Sequence, residues 1–176
     1  KTPPATGKVF YDGDEITHVQ EVDIARRGIG RKFQTPTVFD SLTTFENLEL
    51  SLPDRQGLWS NLLRATTAAE TERIEALLER VRLTEVRDTE ASQLSHGQRQ
   101  WLAISALILT EPKLLLVDEP AAGLTDAETA LTAELLLELR ADHTLIVIEH
   151  DMDFVRQLDS FVTVLNEGIK IGRAHV

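Results

Sequence analysis

The sequence of 176 residues contains no cysteine, and its 18 Lys and Arg are outnumbered by 29 Asp and Glu, giving a formal net charge of -11. The absence of cysteine excludes a disulfide framework and a thiolate metal site, and it is typical of a cytosolic chain. The acidic balance argues against a nucleic-acid partner, because DNA and RNA are bound largely by neutralising their phosphates with Lys and Arg.

No apolar run reaches the about twenty residues needed to cross a bilayer, and no signal-peptide pattern is present. We therefore expect any membrane association to be peripheral.

The remaining composition, 42% hydrophobic and 27% charged, is that of a globular domain with its own core. Apolar runs at 114–118, 144–149 and 161–166 predict strands, and the segments 126–140 and 151–158 between them predict helices. Because strand, helix and strand in this order imply right-handed crossovers, we expect these strands to pair in parallel. Between 44 and 93 the pattern is helical, and one apolar face is formed by Ile74, Leu77, Leu78 and Val81.

Two motifs in the second half of the chain carry the chemistry. The loop 94–98, Leu-Ser-His-Gly-Gln, opens a predicted helix, and the run 114–117 ends in the adjacent carboxylates Asp118 and Glu119. Such a loop presents backbone N–H groups and a helix N-terminus to a phosphate. Carboxylates at a strand end can bind a magnesium ion and position a water. Each motif alone has a common alternative, a chance loop or a buried strand with solvent-facing acids. Their order favours a phosphate site, because a helix from His96 to about Thr110 returns the chain to the sheet edge where ligands bind.

This pair of motifs resembles the signature loop and Walker B strand of ABC-type ATPases, and the resemblance covers nearly the whole chain. It implies an α/β, P-loop NTPase-like sheet flanked by helices, with an α-helical subdomain, that binds and hydrolyses ATP with Mg²⁺. Residues 1–40 would form a partial ATPase core up to the Q-loop, 41–93 the helical subdomain, 94–170 the rest of the core, and 171–176 a non-native tail. Because no Walker A loop is found in the sequence, we expect a fold truncated at both ends. The chain itself would then be inactive, and its full-length parent an ATPase.

The resemblance also implies catalytic roles. Asp118 would hold Mg²⁺ through a water, and Glu119 would polarise the attacking water. His150 follows the strand 144–149, where the family has the switch histidine that contacts the γ-phosphate. Gln34 matches the Q-loop, whose side chain reaches the magnesium and the water.

Further residues are implied to contact other subunits. The loop after Gln34 would touch a membrane permease through Thr35, Pro36 and Phe39. The signature loop would bind ATP held by a second ATPase subunit, in a homodimer or heterodimer, through Leu94, Ser95, His96, Gly97 and Gln98. The D-loop is formed by Gly123, Leu124, Thr125 and Asp126. A solute-binding protein would be an indirect partner.

Two positions depart from the family pattern. His96 stands where many members have a second glycine, so its ring lies either near the phosphate or away from it. In the D-loop, Thr125 stands where most members have Asp. We expect the next residue, Asp126, to be the N-cap of the following helix instead.

The motifs also resemble one subfamily of importers. Segments 121–124 and 149–152 are similar to branched-chain amino-acid transport ATPases, and segments 32–39, 45–48 and 96–102 are more similar to urea-transport ATPases. The resemblance implies a peripheral protein at the cytoplasmic face of the inner (plasma) membrane. An ATPase subunit never touches the solute, so the choice between urea and branched-chain amino acids rests on resemblance alone. The alternatives are an ABC-type ATPase with a regulatory or translation-factor role, and a non-catalytic binding module.

Overall fold

The first elements of the chain are short. In the computed structural model, strands β1 (Phe10–Tyr11) and β2 (Asp14–Glu15) form an antiparallel hairpin, followed by helix α1 (Glu21–Arg26) and strand β3 (Ile29–Lys32). The structure describes residues 6–32, 38–53 and 66–175. The predicted site residues Gln34, Thr35 and Pro36 lie outside the described residues.

A parallel sheet joins β3 to two later strands, β4 (Leu114–Asp118) and β5 (Thr144–Ile148), in the order β3-β4-β5. In this register Lys32 pairs with Val117, and Asp118 pairs with Ile148. Parallel neighbours require crossover connections, which the helical segments between the strands supply. The carboxyl ends of the three strands therefore meet at one edge of the sheet.

The last two strands, β6 (Phe161–Asn166) and β7 (Ile169–His175), form an antiparallel hairpin apart from that sheet. The prediction that 161–166 pairs in parallel with the preceding strands is thus wrong. The reason is the two-residue turn at Glu167 and Gly168, whose φ values of 47° and 77° suit a tight hairpin and return the chain directly onto β6. Residues 171–175, which we predicted to be a tail, lie in β7.

Five further helices complete the described elements: α2 (Thr44–Glu49), α3 (Ala68–Arg80), α4 (His96–Ile108), α5 (Asp126–Leu139) and α6 (Met152–Gln157). The first four begin with a capping box, in which a Ser or Thr and the Glu or Gln three residues later satisfy each other's backbone N–H groups. Two 3₁₀ turns, Thr84–Val86 and Ala91–Gln93, connect α3 to α4. None of the helices within the described ranges is long and apolar enough to span a membrane.

The hydrophobic core lies where α4 meets the helical segment, the sheet and α5. The predicted apolar face of α3 is buried in it, as are Leu102, Leu115 and Leu136. Inside this core the Trp101 indole donates a hydrogen bond of 2.9 Å to the Thr132 hydroxyl, which ties α4 to α5. Helix α4 is therefore held in a fixed position relative to α5.

Candidate active site

The two predicted catalytic residues that follow β4 and β5 come together at the sheet edge. Asp118 at the end of β4 is paired with Ile148 at the end of β5. Glu119 and His150, which follow these two strand ends, therefore lie close together at the same edge of the sheet. Glu119 Oε1 lies 3.8 Å from His150 Nδ1. The Glu119 backbone has a φ of 46°, an uncommon conformation that is concentrated at functional sites. The His150 side chain is 79% exposed, which leaves it accessible to a ligand.

A buried carboxylate supports this pair. The Glu149 side chain is 2% exposed and accepts hydrogen bonds from the backbone N–H groups of Ala121, at 2.9 Å, and His150, at 3.1 Å. It thereby ties the loop after β4 to the loop after β5, and the hydrogen bonds compensate for the burial of its charge. Sequence reasoning gave Glu149 no role. Its position at the end of an apolar run, directly before the histidine, is the signal that could have identified it.

Asp118 ends β4, and its side chain is partly exposed at the sheet edge. Arg31 Nη2 lies 3.5 Å from its Oδ2, a long contact between partly exposed groups. Mg²⁺ favours one or two carboxylates and completes its shell with waters and substrate phosphates. Within the described ranges no group of three or more His, Cys, Asp or Glu side chains forms a complete metal site. A magnesium ion held by Asp118 would therefore take most of its ligands from water and a nucleotide.

A buried lysine, Lys32, ends β3 beside these acids. Burial lowers the pKa of Lys32, while attraction to Asp118, Glu149 and Glu119 acts in the opposite direction. Its Nζ has no hydrogen-bond partner in the part of the chain that the structure describes. The strand pattern did not identify this residue. It places an amine close to a cluster of carboxylates at the sheet edge.

The signature loop ends in the N-cap of α4. The Ser95 hydroxyl accepts from the Gln98 N–H at 3.2 Å, and the Gln98 side chain accepts from the Ser95 N–H at 2.9 Å. The first turn of α4 contains no acidic residue, but the Glu128 carboxylate of α5 lies beside it and accepts a hydrogen bond of 3.2 Å from the Ser95 hydroxyl. Ser95 and His96 are exposed, whereas Leu94 and Gly97 are buried. The loop thus presents the Ser95 side chain and the start of α4 to solvent.

The structure settles the direction of His96 and corrects one expectation about the D-loop. The His96 ring lies against the D-loop, where Nε2 is 3.1 Å from the carbonyl oxygen of Ala122. The N-cap of α5 is Thr125, whose hydroxyl accepts from the Glu128 N–H, so the prediction that Asp126 is the N-cap is wrong. Asp126 already lies in the first helical turn, where its charge complements the helix dipole.

The segment after the predicted Q-loop presents an exposed aromatic side chain. Phe39 is 60% exposed, and the buried Asn47 accepts from the Phe39 N–H at 2.8 Å. The Asn47 amide also donates to the carbonyls of Phe39, Leu42 and Thr43. Asn47 was not identified from the sequence. It fixes the backbone that carries Phe39, whose ring remains available to a partner.

Comparison with known proteins places these observations in one family. The family model described as ABC transporter matches residues 1–122. BraF, a high-affinity branched-chain amino acid transport ATP-binding protein of Pseudomonas aeruginosa, is 36% identical, with 94% of this chain and 68% of BraF covered. LivG of Salmonella typhimurium, with the same description, is 39% identical at the same coverage. An ATP-binding cassette of an ABC transporter, solved in its ADP conformation, matches with a TM-score of 0.81 and 28% identity over 99% of this chain and 71% of that one.

Proposed function

Because the chain belongs to the ABC transporter family, as the ATP-binding and ATP-hydrolysing subunit of an importer, we propose that it powers the uptake of urea through membrane permease partners. The observation that supports ATP hydrolysis within this proposal is the meeting of Glu119 and His150 at the ends of β4 and β5, 3.8 Å apart. Asp118 stands beside them on the same strand end.

The hydrolytic step follows from these three side chains. Water attacks the γ-phosphorus, the bond to the bridging oxygen breaks, and ADP and inorganic phosphate leave. Glu119 orients the water and polarises its O–H bond, and His150 contacts the γ-phosphate. Asp118 would hold a Mg²⁺ ion through a water, and the ion would supply positive charge that neutralises the phosphates. Gln34 completes the site in this proposal by reaching the same ion and water.

The complete site needs a second ATPase subunit. We assign the signature loop, residues 94–98, to ATP that the second subunit holds. The exposed Ser95 at the N-terminus of α4 supports this assignment. Whether the second subunit is an identical chain or a related one does not alter the geometry of this contact.

We assign the segment that contains Thr35, Pro36 and Phe39 to the permease contact. An exposed Phe on a backbone held by the buried Asn47 suits the docking of an apolar helix from a membrane protein. The protein would then sit peripherally at the cytoplasmic face of the inner membrane, and a solute-binding protein would act on the far side of the permease.

The solute is assigned by resemblance to urea-transport ATPases, with branched-chain amino acids as the alternative within the same subfamily. The test is uptake of labelled urea and labelled leucine in a strain that lacks the gene, with and without a complementing copy. We expect loss of urea uptake alone, restored by the copy. Loss of leucine uptake alone would assign the branched-chain amino acids, and unchanged uptake of both would favour a role outside transport.

The magnesium assignment is tested in the full-length protein by Asp118→Asn. We expect a loss of Mg²⁺-dependent ATP turnover of at least a hundredfold, because a neutral amide binds the hydrated ion poorly. The matched control is Asp12→Asn, an exposed turn residue with a φ of 51° that asparagine also adopts. Equal turnover in the two variants would remove Asp118 from the metal site.

A further inference from the structure

The His96 ring connects two loops of the same chain. Its Nε2 lies 3.1 Å from the Ala122 carbonyl, and because a carbonyl oxygen only accepts, this nitrogen must carry the proton and donate it. The ring also covers Gly123, where a Cβ atom would lie 3.5 Å from both Cδ2 and Nε2 of the histidine. The contact therefore fixes both the tautomer and the position of the ring.

A second link runs parallel to the first. Glu128 Oε1 accepts from the Ser95 hydroxyl at 3.2 Å, and Oε2 accepts from the Thr125 N–H and hydroxyl at 3.0 and 2.9 Å. The Thr125 hydrogen bonds lower the pKa of Glu128, partial burial acts against them, and the Ser95 hydrogen bond adds a smaller lowering effect. Gly97 makes room for this carboxylate, because a Cβ atom there would lie 2.5 Å from Oε1. We call these two links, His96 to Ala122 and Ser95 to Glu128, the clasp.

A backbone hydrogen bond connects the clasp to Glu119, the residue that we assign to orienting the water. The Ala122 N–H donates to the Glu119 carbonyl at 3.3 Å, and the adjacent Ala121 N–H is held by the Glu149 carboxylate at 2.9 Å. A displacement of the signature loop would therefore pull on the backbone of Glu119 through His96 and Ala122. Packed, hydrogen-bonded segments of this kind transmit small shifts between sites.

We propose that His96 is a positioning residue that couples the two ATP sites of the assembled ATPase. It links the signature loop, which we assign to the partner's ATP, to the loop after β4, which begins with Glu119 of the same chain. The inference rests on the proposed function, since it uses the roles assigned to Ser95 and Glu119. Through this link, binding of the partner's ATP at the signature loop sets the position of Glu119 in the neighbouring site.

Two substitutions at position 96 separate the hydrogen bond from the bulk of the ring. His96→Phe keeps a ring and removes the donor, whereas His96→Gln keeps an N–H donor at a similar reach. His18→Phe, at an exposed histidine outside the clasp, is the matched control. All are made in the full-length protein and measured in the assembled transporter.

We expect His96→Phe to lower kcat for ATP hydrolysis by about three- to tenfold, the range of one lost hydrogen bond, with KM for ATP little changed and a reduced Hill coefficient. His96→Gln should restore both kcat and the Hill coefficient, and His18→Phe should match the wild type. A role confined to folding would instead lower the melting temperature without changing the Hill coefficient, and that result would overturn the proposal. So would wild-type kcat and cooperativity in His96→Phe.

Hydrogen exchange at the backbone amides of residues 122–124 tests the clasp without ATP. Exchange there should be faster in His96→Phe than in the wild type and normal in His96→Gln. Unchanged exchange in His96→Phe would refute the link. If the wild-type protein failed to hydrolyse ATP while exchange responded as expected, the proposed function would fall and the clasp would stand.

Discussion

Replacing Glu128 by alanine is expected to lower the free energy of unfolding by about 1 to 2 kcal/mol. The Glu128 carboxylate accepts three hydrogen bonds, two from Thr125 and one from Ser95. Each is worth about 0.5 to 1.5 kcal/mol net, and we take the lower part of that range because the group is near the surface. Alanine recovers a few tenths of a kcal/mol through its higher helix propensity.

The assay is urea unfolding at neutral pH, with Glu134→Ala as the control. Glu134 lies on the same helix and makes an exposed ion pair with Arg82, which is worth less than about 1 kcal/mol. For a chain of this length the expected loss at Glu128 lowers the melting temperature by roughly 2 to 8 °C. Equal destabilisation by the two substitutions would refute the reasoning.

The same variant has a defined pH dependence. The pKa of Glu128 is lowered in the folded protein from its ordinary value of 4.5, mainly by the hydrogen bonds from Thr125. Its ionised form therefore stabilises the fold fully above that value, and the stabilisation is lost as the pH falls through the folded pKa. The difference in unfolding free energy between wild type and Glu128→Ala should shrink on acidification below about pH 4.5. A difference that grows on acidification would contradict the assigned shift.

Two further predictions concern the full-length protein. His150→Ala should lower ATP turnover by at least a hundredfold, because the γ-phosphate contact is lost. The control is His143→Ala, which should keep normal turnover, since the His143 ring bonds to the Pro112 carbonyl away from the catalytic edge. Equal rates in the two variants would remove His150 from the site. Phe39→Asp should weaken co-purification with the permease and abolish solute uptake, because a charge would be buried in the contact, while ATP binding by the isolated subunit remains; normal co-purification and uptake would exclude Phe39 from the interface.

Much of the fold could be predicted because its signals are local. The capping boxes at Thr43, Thr67 and Ser95 are visible as a Ser or Thr followed three residues later by Glu or Gln. The same pattern at Thr125 outweighs the prediction that Asp126 is the N-cap. The bounds of β4 follow from an apolar run that ends at an acid. The pairing of β6 could not be predicted from the order of elements, because the tight turn at Gly168 provides a nearer partner strand.

The supporting residues of the site could not be predicted because their roles depend on tertiary contacts. Burial of Lys32 and Glu149 results from the packing of β3, β4 and the following loops. The direction of the His96 ring depends on the distance between the signature loop and the D-loop. Asn47 is unremarkable in the sequence and acquires its role from the loop that folds over it.

The most direct test of the assigned chemistry is ATP turnover by Glu119→Gln in the full-length protein, measured beside ATP binding. The amide is nearly isosteric with the carboxylate but is a poor proton acceptor, so we predict a loss of about a hundredfold to ten-thousandfold in turnover with binding retained. The control is Glu111→Gln, whose side chain is 70% exposed and pairs with Arg73, and it should hydrolyse ATP normally. Wild-type turnover by Glu119→Gln would contradict the account.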